Sequence, residues 1–327
     1  MKHFRLAAAW SCVMSACLLA AAAPAFAADP YPARPITLVV GYPPGGSTDL
    51  VARTLGQALG AKLGQSVVVE NLGGAGGSIG AQKVASAAPD GYTLLVGANN
   101  EIAINALVKK SVRYSLRNFT PLGMVGSQPL VLTTTPARGI KNAADLLKIA
   151  KEQPGKLTYG SSGVGTSLHV AAEMVKQQGG ITMVHIPYRG TGPLTTDLLG
   201  GSLDVGVFVL SSALPMIKSG KLVAIGTTEA KRSSATPDVP ALAETPALKG
   251  VDIGVWFALM GPANLPAPIA DKLKSALAEA LQSPEYRKSM EAAGSVVPDK
   301  QPDLLPYLNS EIEKYRKIVQ FADIKDE

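Results

Sequence analysis

The sequence predicts an α/β fold of two similar lobes, with parallel-type sheets covered by helices on both faces and a cleft between the lobes. Three observations lead there. Short β-branched runs alternate with helical stretches. A unit of strand, glycine-rich turn and helix at residues 36–63 recurs at 157–178. Two segments, 126–136 and 222–232, read as crossings between the halves, and two crossings make a hinge. The implied division is 28–127 together with 226–327 in one lobe and 128–225 in the other, behind a leader of residues 1–27.

Taken in order, the chain opens with Lys2 and Arg5, an apolar run from Leu6 to Ala23, and an Ala25-Phe26-Ala27 cleavage pattern. That is the grammar of a secretory signal cut after Ala27, which places the mature chain in the periplasm. A membrane anchor is the alternative, but the run is alanine-rich and ends in small residues. Lipid attachment at Cys17 fits poorly, because the residues after it stay apolar. No later segment reaches the roughly 20 apolar residues of a membrane span. Both cysteines, Cys12 and Cys17, leave with the signal, which excludes thiol catalysis, cysteine metal sites and disulfides. The formal charge of +6 drops by the two units on Lys2 and Arg5. The remaining mild excess suits a small anion, and with no basic block and only 5% aromatic residues, no nucleic-acid partner is expected.

"ITLVVG" (36–41), "SVVVEN" (66–71) and "YTLLVG" (92–97) read as buried strands. Between the first two, "STDLVARTLGQALGAKL" sets Leu50, Val51, Leu55, Leu59 and Leu63 on one helical face, with Ser47 or Thr48 as the cap and Asp49 in the first turn. "LTYGSSGVGTSLHVAAEMVKQQ" repeats strand, turn and helix, and "MVHIPYRGTGPLTTDLLGGSLDVGVF" continues as strand, turn, helix, strand. The last third is helical, in "APIADKLKSALAEALQS", "PEYRKSMEAAG" and "LLPYLNSEIEKYRKIVQ", packing back across the first lobe.

The chemistry sits in the glycine-rich turns. "GYPPGGSTDL" has no lysine for a nucleotide-binding loop, but backbone N–H groups at a helix N-terminus hold a carboxylate without one. Gly45 and Gly46 admit close approach, Ser47 and Thr48 add hydroxyls, and Asp49 supports the cap; the plain alternative is an ordinary βα turn. "NLGGAGGSIG" offers donors at Gly76, Gly77 and Ser78. Its formal GxSxG match is accidental, because the preceding strand ends near Asn71, several residues too early for a nucleophile elbow. "SSGVGTSLH" fails the dinucleotide pattern, since Leu168 stands where the last glycine belongs. His169 is equally a ligand contact or a packed ring, whereas His185 faces structure. Arg189 either pairs a second carboxylate or makes a surface ion pair. Tyr42, Phe208 and Trp256 are either apolar walls for an aromatic acid or core.

In this order, "YPARPITLVVGYPPGGSTDLVAR", "VVVENLGGAGGSIGAQKVASAAPDGYTLL", "YGSSGVGTSLHVAAEM", "IPYRGTGPLTTDLLGGSLDV" and "ALMGPANLPAPIADKL" resemble the tripartite tricarboxylate transporter solute-binding proteins, the Bug family, from about Tyr31 to the end. The resemblance implies a two-lobed, type II-like periplasmic binding protein. It would capture an organic carboxylate with loop amides and hydroxyls and pass it to integral-membrane permease subunits. It also implies that Ser161, Thr166, Ser167 and Tyr188 line the cleft and that Asp204 lies near it; the plain alternatives are that Tyr188 simply covers the loop and that Asp204 caps or supports one. "GANNEIAINAL" departs from the small hydroxyl residues usual there, so Asn99, Asn100 and Glu101 are read as tuning the far end of the ligand.

The candidate set is Tyr42, Pro44, Gly45, Gly46, Ser47, Thr48, Gly76, Gly77, Ser78, Asn99, Ser161, Thr166, Ser167, His169, Tyr188 and Asp204. A monomer with no metal and no cofactor is expected. Two rivals stand beside this reading. One is a secreted serine hydrolase using Ser78 or Ser167, against which count only two histidines and no cysteine after the leader, and no HExxH. The other is the ligand-binding subunit of a periplasmic sensor.

Overall fold

The computed structural model describes residues 31–234 and 236–325. The segment read as an export signal, residues 1–27, lies outside them. In chain order the described elements begin with β1 (Ile36–Val40), α1 (Ser47–Leu63), β2 (Val67–Asn71), α2 (Ser78–Ala85) and β3 (Thr93–Ala98). A π-helical turn (Asn100–Ile104) and α3 (Asn105–Val108) lead into β4 (Phe119–Thr134). Then come α4 (Ala143–Glu152), β5 (Thr158–Ser161), α5 (Ser167–Gly179), β6 (Val184–Pro187), α6 (Thr191–Leu199), β7 (Val205–Val209), α7 (Leu210–Lys218) and β8 (Val223–Thr227). The chain closes with β9 (Gly254–Pro262), α8 (Ala267–Leu281), α9 (Pro284–Ala292) and α10 (Leu304–Phe321).

Two βαβαβ units share one topology. β1 pairs in parallel with β2 and β3, giving the order β2-β1-β3. β5 pairs in parallel with β6 and β7, giving β6-β5-β7. Antiparallel strands join the units, so the sheet as a whole is mixed. β9 runs antiparallel to β3, and β4 pairs with β9 along residues 119–129 before passing to β7 and β8 from residue 130 onward. The stretch expected as a linker, 126–136, is thus mostly strand: a 16-residue β4 that belongs to both pairing groups.

The core follows from the runs of β-branched and aliphatic residues. Leu38, Val39 and Val40 of β1, Leu94–Val96 of β3 and Phe257–Met260 of β9 are fully buried, as befits strands covered on both faces. β2 departs from this expectation. It is the edge strand, and Val68 is 53% exposed. α1 buries Val51, Ala52, Leu55 and Leu59, but Leu50 is exposed because it lies a full 100° step off the 51-55-59 line. α8 and α9 pack on α1, while α10 packs against the π-helical turn, β4 and α5. Phe208 and Trp256 are core residues rather than cleft walls. Phe208 sits among Val131, Leu194, Leu198 and Leu203. Trp256 donates its indole N–H to Glu311 of α10 at 3.0 Å. Among the described residues no helix is long and apolar enough to cross a membrane.

Candidate functional site

Five loops leave the carboxyl ends of parallel strands: 41–46 after β1, 72–77 after β2, 99–105 after β3, 162–166 after β5 and 188–190 after β6. In α/β sheets this end is where ligands bind, since the following helices point their N-termini there. The first three loops meet closely at Gly77: a Cβ on Gly41 would lie 2.6 Å from the Gly77 carbonyl oxygen, and one on Gly77 would collide with the Glu101 side chain. The two halves touch where Gly165, at φ +69°, lies against Val108, and where the Asn100 Oδ1 accepts the Ser167 N–H at 2.8 Å.

The first loop is built around Asp49. One carboxylate oxygen accepts the Gly45 N–H at 2.9 Å, the other accepts Asn71 Nδ2 at 2.9 Å, and Arg53 pairs with both. Burial alone would raise this acid, but the Arg53, Gly45 and Asn71 hydrogen bonds hold it below its ordinary value. The N-cap of α1 is Gly46, not Ser47 or Thr48, and no side chain caps it. The hydroxyls of Ser47 and Thr48 make no hydrogen bond among the described residues, so these two donors are unspent. Pro44, Gly45 and Gly46 are exposed around it. Asp49→Ala removes the clamp, and we expect a loss of about 2 kcal/mol, read by denaturant unfolding at pH 7. Because the folded carboxyl is held low, that difference persists at neutral pH and fades as pH falls through the folded value.

The second turn is held from behind. Asn105 Nδ2 donates to the Gly76 carbonyl at 2.7 Å, and Lys109 Nζ donates to that of Ala75 at 3.0 Å. The Ser78 hydroxyl turns back onto the Ala75 carbonyl at 3.0 Å, with no histidine beside it. Beneath lies Glu101, fully buried, its Oε2 accepting from Tyr42 Oη at 3.0 Å and from the Ala98 N–H at 3.3 Å, its Oε1 without a partner. Burial pushes its pKa up to about 8 against the pull of those hydrogen bonds. Asn99, expected at the ligand, points elsewhere: its amide donates to the Gly254 carbonyl and to Tyr315 Oη. Its neighbour Asn100 donates to Tyr42 Oη at 3.2 Å and reaches across to α5.

In the second half, several expected ligand donors are already used. Thr166 caps α5, its Oγ1 accepting the His169 N–H and donating to the Gly163 carbonyl. Ser161 is buried with its Oγ 2.7 Å from His185 Nε2. His169 is packed: it lies buried under the loop, its Nδ1 accepting the Gly165 N–H at 3.1 Å. Tyr188 covers the strand ends, its Oη donating to Asp197 at 2.8 Å, and burial with that carboxylate raises it to about 12. The hydroxyls of Ser162 and Ser167 make no hydrogen bond among the described residues, and Arg189 is exposed.

Asp204 must be moved. It precedes β7, accepts from the Thr158 N–H at 2.7 Å at the start of β5, and pairs with Arg138 at 2.9 Å. That is the amino end of the strands, opposite the loops, where it anchors structure. Two outer concavities, around Gly56, Gly60 and Val67 and around Lys62 and Glu285, also lie away from the loops. Among the described residues no group of three metal-ligating side chains occurs.

This mixed α/β sheet, with glycine-rich turns gathered at its strand ends, is the fold of solved periplasmic binding proteins. They include periplasmic binding protein BugD (31% identity, TM-score 0.78, 91% of this chain and all of that one). A second is MatC from Rhodopseudomonas palustris with bound malate (29%, TM-score 0.76, 88% and 100%). A third is an R. palustris protein with adipate (30%, TM-score 0.81, 90% and 99%). The tripartite tricarboxylate transporter family receptor family, TctC, matches residues 51–324, and the chain belongs to it. Protein BugT of Bordetella pertussis is 36% identical over 91% of this chain and 92% of its own length.

Proposed function

We propose that this receptor captures an organic carboxylate in the periplasm and presents it to membrane permease subunits. The observation that carries the reading is the contrast between the two helix starts. At α5 the N–H groups of Gly165, Ser167 and His169 are satisfied from within the chain. At α1 no side chain caps the helix and the Ser47 and Thr48 hydroxyls are unspent. An uncapped N-terminus with free hydroxyls attracts an anion, and the malate and adipate found with the two R. palustris relatives are carboxylates. Ser162, Ser167 and Arg189 then face the remainder of the ligand from the second half.

In this reading the chain works as a monomer of two lobes, 28–127 with 226–327 and 128–225. The passage of β4 from β9 to β7 near residue 130 serves as one hinge strand, and export removes residues 1–27. Closure excludes water that competes for the ligand's hydrogen bonds.

A hydrolase is the rival that one distance favours, the 2.7 Å between Ser161 and His185. Ser161 is fully buried, however, and burial, with His169 beside it, lowers His185 to about 3, which makes it a poor base at neutral pH.

A thermal-shift screen of ligand-stripped protein against carboxylic acids and their amides tests the reading. An acid raises the melting temperature and its amide does not. Equal shifts from acid and amide would remove the anion from the account, and ester turnover would favour the rival.

A further inference from the structure

Beneath the 161–167 loop lies a stack of aromatic and charged groups that ligand contact leaves unexplained. The rings of His169 and His185 are 3.8 Å apart and nearly parallel, and Tyr159 stacks on His185 at 4.8 Å. The loop hangs on this stack by two hydrogen bonds. His169 Nδ1 accepts the Gly165 N–H, and His185 Nε2 meets the Ser161 hydroxyl. Ser161 in turn bonds both the N–H and the carbonyl of Gly163.

We infer that His169 and His185 are positioning residues for ligand capture: they hold the Gly165 amide and the Ser161 hydroxyl inward, which fixes the turn 161–167 and the start of α5. The inference rests on the carboxylate-receptor reading for its effect on affinity, and on geometry alone for its effect on the loop.

The chemistry fits. An imidazole nitrogen accepts an N–H only when that nitrogen carries no proton. The groups around the pair keep it so. Burial lowers His169 to about 4, with Lys176 adding to the effect. Burial lowers His185 to about 3, with His169 and Lys176 acting in the same sense and Glu173 opposing. Glu173 is engaged by Tyr159 Oη and by Lys176 at 2.6 Å, and lies 3.9 Å from His169 Nε2. The acceptor at Nδ1 is therefore present across the neutral range. Gly165 itself admits no side chain: its φ is +69° and a Cβ there would lie 2.8 Å from Val108.

The test pairs two substitutions at His169. H169F keeps a ring in the stack but has no acceptor; H169N places an amide oxygen where Nδ1 was. In ligand-free protein, hydrogen exchange over residues 161–167 should quicken about tenfold or more in H169F and return toward the wild-type rate in H169N. With malate and adipate as probes, H169F should bind about tenfold more weakly while H169N retains most of the affinity.

Wild-type exchange in H169F would overturn the inference, as would equal loosening in both variants, which assigns the ring to packing alone. If the wild type binds neither acid while the exchange pattern holds, the receptor reading fails on these acids and the positioning role stands. If H169F does not fold, H185Q against H185F repeats the comparison at the Ser161 hydroxyl.

Discussion

Glu101→Gln should reverse the order of stability with pH: the variant is slightly less stable than the parent near pH 5 and clearly more stable near pH 9. The parent carboxyl is fully buried, with one oxygen unpartnered, and titrates at about 8 instead of its ordinary 4.5. A raised folded value means that the native state holds its proton longer than the unfolded chain. The stability this confers is complete below about pH 4.5 and is lost as pH rises through about 8. The loss amounts to roughly 5 kcal/mol at most, a large part of the ~5–15 kcal/mol that holds a domain together. Glutamine stays neutral and its carbonyl can serve both Tyr42 and the Ala98 N–H, so it escapes the loss at high pH. It pays about 1 kcal/mol at low pH for an amide N–H group without an acceptor. Glu229, raised to about 7, drifts in the same direction in both proteins, so the difference between them isolates Glu101. Denaturant unfolding at pH 5, 7 and 9 measures it; parallel curves for the two proteins would show that Glu101 does not titrate in this range.

Gly46→Val should weaken carboxylate binding by about 30-fold or more, roughly 2 kcal/mol, with little change in the melting temperature of the free protein. Gly46 has φ −80° and ψ 171°, a conformation open to any residue, and a Cβ there meets only the Pro43 carbonyl oxygen at 3.9 Å. Valine therefore costs the fold little, while its branches stand at the uncapped start of α1. Gly45 is the contrasting position, since φ +89° strains any side chain placed there. Calorimetry with a binding acid separates the two effects. Unchanged affinity in Gly46→Val, with the fold intact, removes the α1 start from the site.

Much of this arrangement is legible in the sequence because it is local. The alternation at 36–63 and 157–178 marks β1, α1, β5 and α5, and the glycines after each strand mark the turns. The departures have physical causes that local patterns do not carry. Val68 is exposed because β2 is an edge strand, and strand order is not written in a single β-branched run. Asn99 and Asn100 part ways because a π-helical turn follows β3, and one residue of register decides which amide faces Tyr42. Asp204 had a readable signal after all: it comes before its strand, whereas every site loop comes after one. Ser161, Thr166 and His169 lie in and beside one turn, as their spacing implies, but side-chain direction, set by the capping and stacking around Gly163 and Gly165, turns them inward. Asn105 and Lys109, which hold the second turn through its carbonyls, carry no motif that would have marked them.

The most direct measurement is a calorimetric titration of the ligand-stripped mature chain with malate, adipate and citrate, each against its amide. Saturable one-to-one heat with at least one acid and none with its amide is the expected result, and Gly46→Val should diminish it. No heat from any carboxylate, or equal heat from an amide, would contradict the claim that the loops at the strand ends capture an organic anion.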